Sequence, residues 1–209
     1  MTTLQRYQQE LVIYLRGLLK SNTSTTSLRA QVDLWLRSHP LPSALSESII
    51  AASLAESTWA RERTLPEAER AAVASVLSIG NTRLATIGGK VYNRILGEIE
   101  RSIVEGVNGK EIEARVARSV QRAAPHVQTI VRTGQAAFDR LETVTEAQRL
   151  GYTHLRMVGP PPDRIFCRKH YHKEYSIEEI KQMDNGQGLP VLTHVGGFNC
   201  VHDWEPVHL

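Results

Sequence analysis

This 209-residue chain contains no apolar run near the roughly 18 to 20 residues that a membrane-spanning helix requires. Its first residues, Met1-Thr2-Thr3-Leu4-Gln5-Arg6, lack the long apolar stretch of a secretory signal. Both absences argue against membrane and secreted classes. No dense block of one charge occurs, and the formal net charge is only +3, which gives nucleic acid little to hold. A glycine-rich phosphate loop, a nucleophile elbow and a paired-carboxylate motif are all missing, so the common signatures of nucleotide binding and hydrolysis are absent. No repeat at a fixed period is visible, which excludes a solenoid. Cysteine is scarce, at two residues, Cys167 and Cys200.

What is present is an ordinary apolar content of 41%, enough for a core in one domain or two small ones. Its distribution is uneven. Residues 1–150 hold 19 basic and 15 acidic side chains, and residues 151–209 hold 6 and 7. Both cysteines, six of the eight histidines and the Pro160-Pro161-Pro162 run fall in the second part. The chain changes character near residue 151.

The first part has helical periodicity. Leu4, Tyr7, Leu11, Tyr14, Leu15 and Leu18 recur at spacings of three and four, predicting an amphipathic helix from Thr3 to about Lys20. The hydroxyl-rich stretch 21–27 interrupts it, with Ser27 the expected N-cap of a helix carrying Leu28, Val32, Trp35 and Leu36. His39-Pro40 ends that helix. Ser43, Leu45, Ile49, Ile50, Leu54 and Trp59 predict another. Pro66 opens one expected to stop by Gly80, and a further long pattern runs from Leu84 to Ile103, with Gly88-Gly89 suggesting a kink or a close helix approach. After the glycines at 106 and 109, Ile112, Val116 and Val120 form an inner face supported by a Glu111→Arg115 pair. Pro125 opens the last long helix, which ends at Gly151. Arg115, Arg118 and Arg122 share one face, followed by Arg132 and Arg140. They form either a stripe that meets phosphates or a solvated face balanced by Glu111, Glu113, Asp139 and Glu142.

Beyond residue 150 the period shortens. Residues 153–158 alternate as a strand does, and 173–177 read as a second extended piece. Ser176-Ile177-Glu178-Glu179 is a capping box for a short helix, and residues 184–188 are a turn. Fewer than 60 residues with so few elements bury little core, so a staple is expected. Cys167 and His170 are spaced to reach one ion, and His194, Cys200 and His202 supply a second pair, with His172 in reserve. Zinc takes four sulfur and nitrogen ligands in such pairs and is the expected cofactor. Two other fates of the cysteines stay open, as buried thiols or as a disulfide. His194, Asn199 and His202 also match the residue types of His-Asn-His nucleases, but no ββα span fits between them.

The order of these features resembles the phage Mu F-like minor head proteins, also called phage head morphogenesis proteins. The resemblance covers roughly residues 110–209. It rests on Arg132-Thr133 in a long helix, on Asp163, Cys167 and His170, and on the closing string from Gly196-Gly197 through Asn199, Cys200, His202, Trp204, Pro206 and Val207. It implies a structural, non-enzymatic virion component inside the phage head near the portal, made in the host cytoplasm and present in multiple copies. Such a protein has portal or major capsid protein as partner, has packaged DNA as a further contact, and acts in head assembly and DNA packaging or ejection. A metal-dependent nuclease or hydrolase and a DNA-binding module are the alternatives. The expected fold is mainly α. An elongated helical N-terminal region (1–109) and the long-helix part of the module (110–150) precede a small, metal-stapled α+β Cys/His-rich domain (151–209).

Overall fold

The structure is a computed structural model that describes residues 3–21, 24–41 and 67–208. The helix expected between Ser43 and Trp59, and Pro66, lie outside the described residues. Among the described residues five helices come first: α1 (Thr3–Lys20), α2 (Thr25–Ser38), α3 (Glu67–Glu105), α4 (Gly109–Gln121) and α5 (Ala124–Arg149). Then follow β1 (His154–Val158), α6 (Ile165–His170), β2 (Glu174–Ser176), α7 (Ile177–Gln182), α8 (Val191–His194) and β3 (Asp203–Val207). The fold is mainly α with one small sheet in its C-terminal segment.

The chain divides into two compact units. One comprises Met1–Ile49 and Asn81–Gln128, the other Ile50–Gly80 and Thr129–Leu209.

In the first unit, the predicted stripe is what α1 buries: Leu4, Tyr7, Leu11 and Leu15. It packs on α4, whose Ile112, Val116 and Val120 are buried as expected, and on α2. Trp35 stacks on His39 at 4.5 Å. The start of α2 differs from expectation. Ser24, not Ser27, is the N-cap, its side chain accepting from the Ser27 N–H. Several hydroxyl side chains stand in a row there, and Ser27 Oγ instead accepts from Gln31 Nε2. The predicted break at Gly80 is also absent. Helix α3 runs unbroken through Gly80, Gly88 and Gly89 for 39 residues. Glycine costs about 1 kcal/mol per residue relative to alanine in a helix but, unlike proline, removes no hydrogen bond. A Cβ at Gly80 or Gly89 would meet nothing within 4 Å, so neither glycine serves a close approach. Gly106, at φ +64°, is where α3 stops. The Val107 N–H reaches Ser102 O and the Gly106 N–H reaches Ile103 O, a paired closure of the last turn that needs the left-handed residue.

In the second unit, α5 ends the same way at Gly151, with Tyr152 N–H on Ala147 O and Gly151 N–H on Gln148 O. The three strands form an antiparallel sheet in the order β2-β1-β3, with Leu155 opposite Tyr175 and Met157 opposite Trp204. Strand β1 alternates as predicted, and its Leu155 and Met157 are fully buried. They share a core with Ile177, Ile180, Val191, Val195 and Trp204, together with Val144 and Ala147 of α5. The capping box at Ser176 and Glu179 forms as predicted. Strand β3 and helices α6 and α8 were not expected. Each is too short for its own periodicity, and tertiary contacts hold it in place.

Candidate metal centre

One short helix and one loop bring three side chains together. Helix α6 presents Cys167, and the segment between α8 and β3 presents Cys200 and His202. Their ligand atoms lie within 4.8 Å of one another and all three residues are buried. The two sulfurs are 3.8 Å apart, and Cys200 Sγ is 3.5 Å from His202 Nδ1. Both cysteines are free thiols.

Backbone geometry makes the approach possible. Val195, at φ +47°, and Gly197, at φ +98°, reverse the chain after α8. A left-handed β-branched residue is strained, and Val195 is held there by complete burial and by its N–H on Val191 O at 2.8 Å. An ideal Cβ on Gly196 would sit 2.2 Å from Cys167 Sγ and 3.2 Å from Cys200 Sγ. Any side chain at 196 would therefore fill the space beside the two sulfurs. The Gly196 N–H donates to Cys200 Sγ at 3.3 Å, which fixes the sulfur against the turn. Arg164 Nη1 holds the Gly196 carbonyl at 3.0 Å.

The tautomer of His202 follows from its neighbours. Its Nε2 lies 2.9 Å from the carbonyl of Pro160, which can only accept, so Nε2 carries the proton. Nδ1 is then a lone pair aimed at Cys200. An imidazole oriented by a backbone carbonyl on its far nitrogen is the usual second layer of support around a metal. Burial and the adjacent Cys200 sulfur push the Cys167 thiol up to about 11. Without a cation it is protonated at neutral pH, and a bound cation would displace that proton. Two sulfurs, a correctly presented imidazole nitrogen and a glycine-cleared space together can hold a metal ion.

Of the other histidines considered for this role, His172 is exposed with its ring against Tyr171, and His170 and His194 also lie outside the cluster. His170 is buried, with Nδ1 2.8 Å from the Tyr175 hydroxyl and its ring against Phe166. Burial, then Lys169 and Lys173, lower its pKa. His194 is 1% exposed, its Nδ1 is 2.9 Å from Thr193 Oγ1, and burial with the Arg140 guanidinium lowers its pKa to about 4. Neither belongs to the cluster of three found among the described residues.

Of the arginines, Arg115 pairs with Glu105 and with Glu111, and Arg118 pairs with Glu111, while Arg122 is exposed. The predicted Glu111→Arg115 pair is present at 3.1 Å. Arg140 does not extend this face. It is 3% exposed and points into the C-terminal segment. Its sequence signal was its register, because Thr133, Ala137, Arg140, Val144 and Ala147 share helical spacing and all are buried. A cation in the middle of such a ladder needs buried acceptors.

The chain matches no protein family model, no curated protein and no solved structure.

Proposed function

We propose that this chain is a structural minor head protein of a tailed phage, lying inside the head near the portal and acting in head assembly and in DNA packaging or ejection. One observation carries the reading. The two stretches on which the resemblance rests meet: the Asn199 N–H of the closing string donates to Thr133 Oγ1 of the Arg132-Thr133 pair at 3.0 Å. Residues 66 positions apart in sequence thus belong to one folded module, which suits a docking element built as a unit. The portal protein or the major capsid protein is its partner, packaged DNA is the further contact, and several copies enter each virion. Its work is assembly rather than turnover.

The cation in this reading is zinc. Two thiolates and an imidazole suit zinc better than the oxygen-seeking magnesium or calcium. A tetrahedral zinc with ordinary bond lengths has sulfur–sulfur edges of about 3.8 Å and sulfur–nitrogen edges of about 3.6 Å. Here the sulfur–sulfur distance is 3.8 Å and that from Cys200 Sγ to His202 Nδ1 is 3.5 Å, with the third edge within 4.8 Å. Bound zinc would tie α6 to the segment leading into β3 and contribute folding energy directly to a segment with a small core.

Co-expression with the portal and major capsid proteins of the same genome tests the assembly role. The expected result is a chain that sediments with portal-containing heads, and a chain that never associates with heads or portal overturns it. Metal analysis tests the zinc. About one zinc per chain, lost in Cys167→Ser and in Cys200→Ser, is expected, and a folded, metal-free protein from zinc-replete growth sinks this part.

A further inference from the structure

The structure assigns Arg140 as the positioning residue of the metal centre, an inference that rests on the metal reading above. Its guanidinium meets the backbone of both C-terminal donors. Nη2 donates to the carbonyl of Cys200 at 2.8 Å, and Nε donates to the carbonyl of His202 at 2.9 Å. Nη1 donates to the carbonyl of Thr193 at 3.1 Å, and Nε also lies 3.0 Å from Asp203 Oδ1. The Arg140 side chain is 3% exposed, whereas that of its charged partner Asp203 is 61% exposed.

Three features make this more than a packing contact. First, every nitrogen of one guanidinium is used, and three of its four acceptors are carbonyls. A backbone carbonyl carries no charge to match a cation, so what this arrangement provides is geometry, the planar fork fixing three carbonyls relative to one another. Second, two of those carbonyls belong to Cys200 and His202, and the segment they define begins from the strained Val195. Left alone, a loop with left-handed residues at Val195, Gly197 and Asn199 has many conformations, and only a few of them would direct Cys200 Sγ and His202 Nδ1 to one point. Third, the side chain of His202 is fixed separately, through Nε2 on the Pro160 carbonyl. Arg140 sets the backbone of this ligand and Pro160 sets its ring. Because Arg140 sits on α5, occupancy of the metal centre and seating of the closing loop on that helix are one coupled event within the second unit.

Cobalt(II), which reports its ligands by colour, and zinc are the probes, with the full-length chain as host. In Arg140→Lys the charge remains but the fork is lost. Affinity for both ions, measured against a competing chelator, is expected to fall by about 10- to 100-fold, the usual effect of removing outer support around a metal. The thiolate-to-cobalt absorption band is expected to shift or weaken. Arg140→Gln should behave alike, and Asp203→Asn, which removes only the exposed partner, should stay within about twofold of the parent. Parental affinity and an unchanged cobalt spectrum in both Arg140 variants overturn the assignment, even if their melting temperatures fall. Full rescue by lysine overturns it too, since charge alone would then suffice. A measurement on the unaltered protein covers the case of poorly folding variants. The Arg140 Nε–H resonance should move and gain exchange protection on zinc binding, and a resonance indifferent to zinc counts against the coupling. An unaltered chain that binds neither ion overturns the metal reading itself, a result distinct from all of these.

Discussion

The two units bury different chemistry. In the first, most buried positions are aliphatic side chains on long helices, such as Leu11 and Leu15 of α1, Ile95 and Ile99 of α3 and Val116 and Val120 of α4. Ion pairs there such as Arg16 with Glu113 and Arg37 with Asp33 have their arginines exposed and contribute little. In the C-terminal part of the second, short elements share a smaller core and are cross-linked by polar side chains, the buried Arg140 among them. Arg140 holds three carbonyls, Asn185 Nδ2 holds those of Leu189 and Val195, and the Phe198 N–H donates to Gln187 Oε1. Helical burial is tolerant, because an apolar stripe of roughly the right size suffices to pack. A cross-linked segment is intolerant, because each buried donor or acceptor left without its partner costs about 1 to 3 kcal/mol.

The largest effect expected to separate the two is metal removal. At zinc a thousand times its dissociation constant, binding contributes about 4 kcal/mol to the stability of the segment it ties together. Hydrogen exchange should show the amides of 154–207 opening faster in chelator, with those of 84–99 unaffected. Equal opening in both regions would erase the contrast. Next comes a cavity in the helical unit. Ile99 is fully buried, so Ile99→Ala should cost about 3 kcal/mol in denaturant unfolding, inside the usual range of roughly 2 to 5. It should leave zinc affinity unchanged, and a matching loss of affinity would show the units to be energetically inseparable.

Acid should act on the second unit through His194. Its folded pKa of about 4 lies below the ordinary 6.5, so between those values the unfolded chain binds a proton that the folded chain does not. This contribution is complete above about pH 6.5 and is lost as pH falls toward 4. With chelator present, stability should drop by about 2 to 3 kcal/mol between pH 7 and pH 4.5. A His194→Asn variant showing the same slope would assign the loss to other groups. The smallest effect is local. Ser176→Ala removes the cap of α7 and should cost about 1 kcal/mol, with Glu179 losing the Ser176 hydroxyl that helps keep its carboxyl acidic. Thermal unfolding checks this, and a cost above about 3 kcal/mol would mean that Ser176 does more than cap.

Among the described residues, helices were legible where apolar residues repeated for several turns, as in α1, α2, α4 and α5. Strand β1 and the capping box were legible because their signals are complete within five residues. The merging of two expected helices into α3 was not, since Gly80 weakens a helix locally without preventing it. Helices α6 and α8 and strand β3 offered four to six residues each, too few for any period. Within the candidate site, residue type singled out Cys167, Cys200 and His202. It could not choose among five Cys and His donors, because spacing along the chain says nothing of the turn at Val195 or of which carbonyl orients which imidazole.

By itself the sequence determined that the described residues up to about 150 are mainly helical, that the character of the chain changes at Gly151, and that any soft-metal chemistry lies beyond it. Those properties are local: side-chain periodicity, caps, and the placement of scarce residue types. Only the tertiary structure decided that Arg140 is a buried fork rather than part of a basic face, that Thr133 meets Asn199, and that Gly196 leaves the space beside two sulfurs. Each of these depends on groups 29 to 66 residues apart in the chain being brought within hydrogen-bonding or van der Waals reach. Only the packed core of β1, α7, α8 and β3 against α5 provides that proximity.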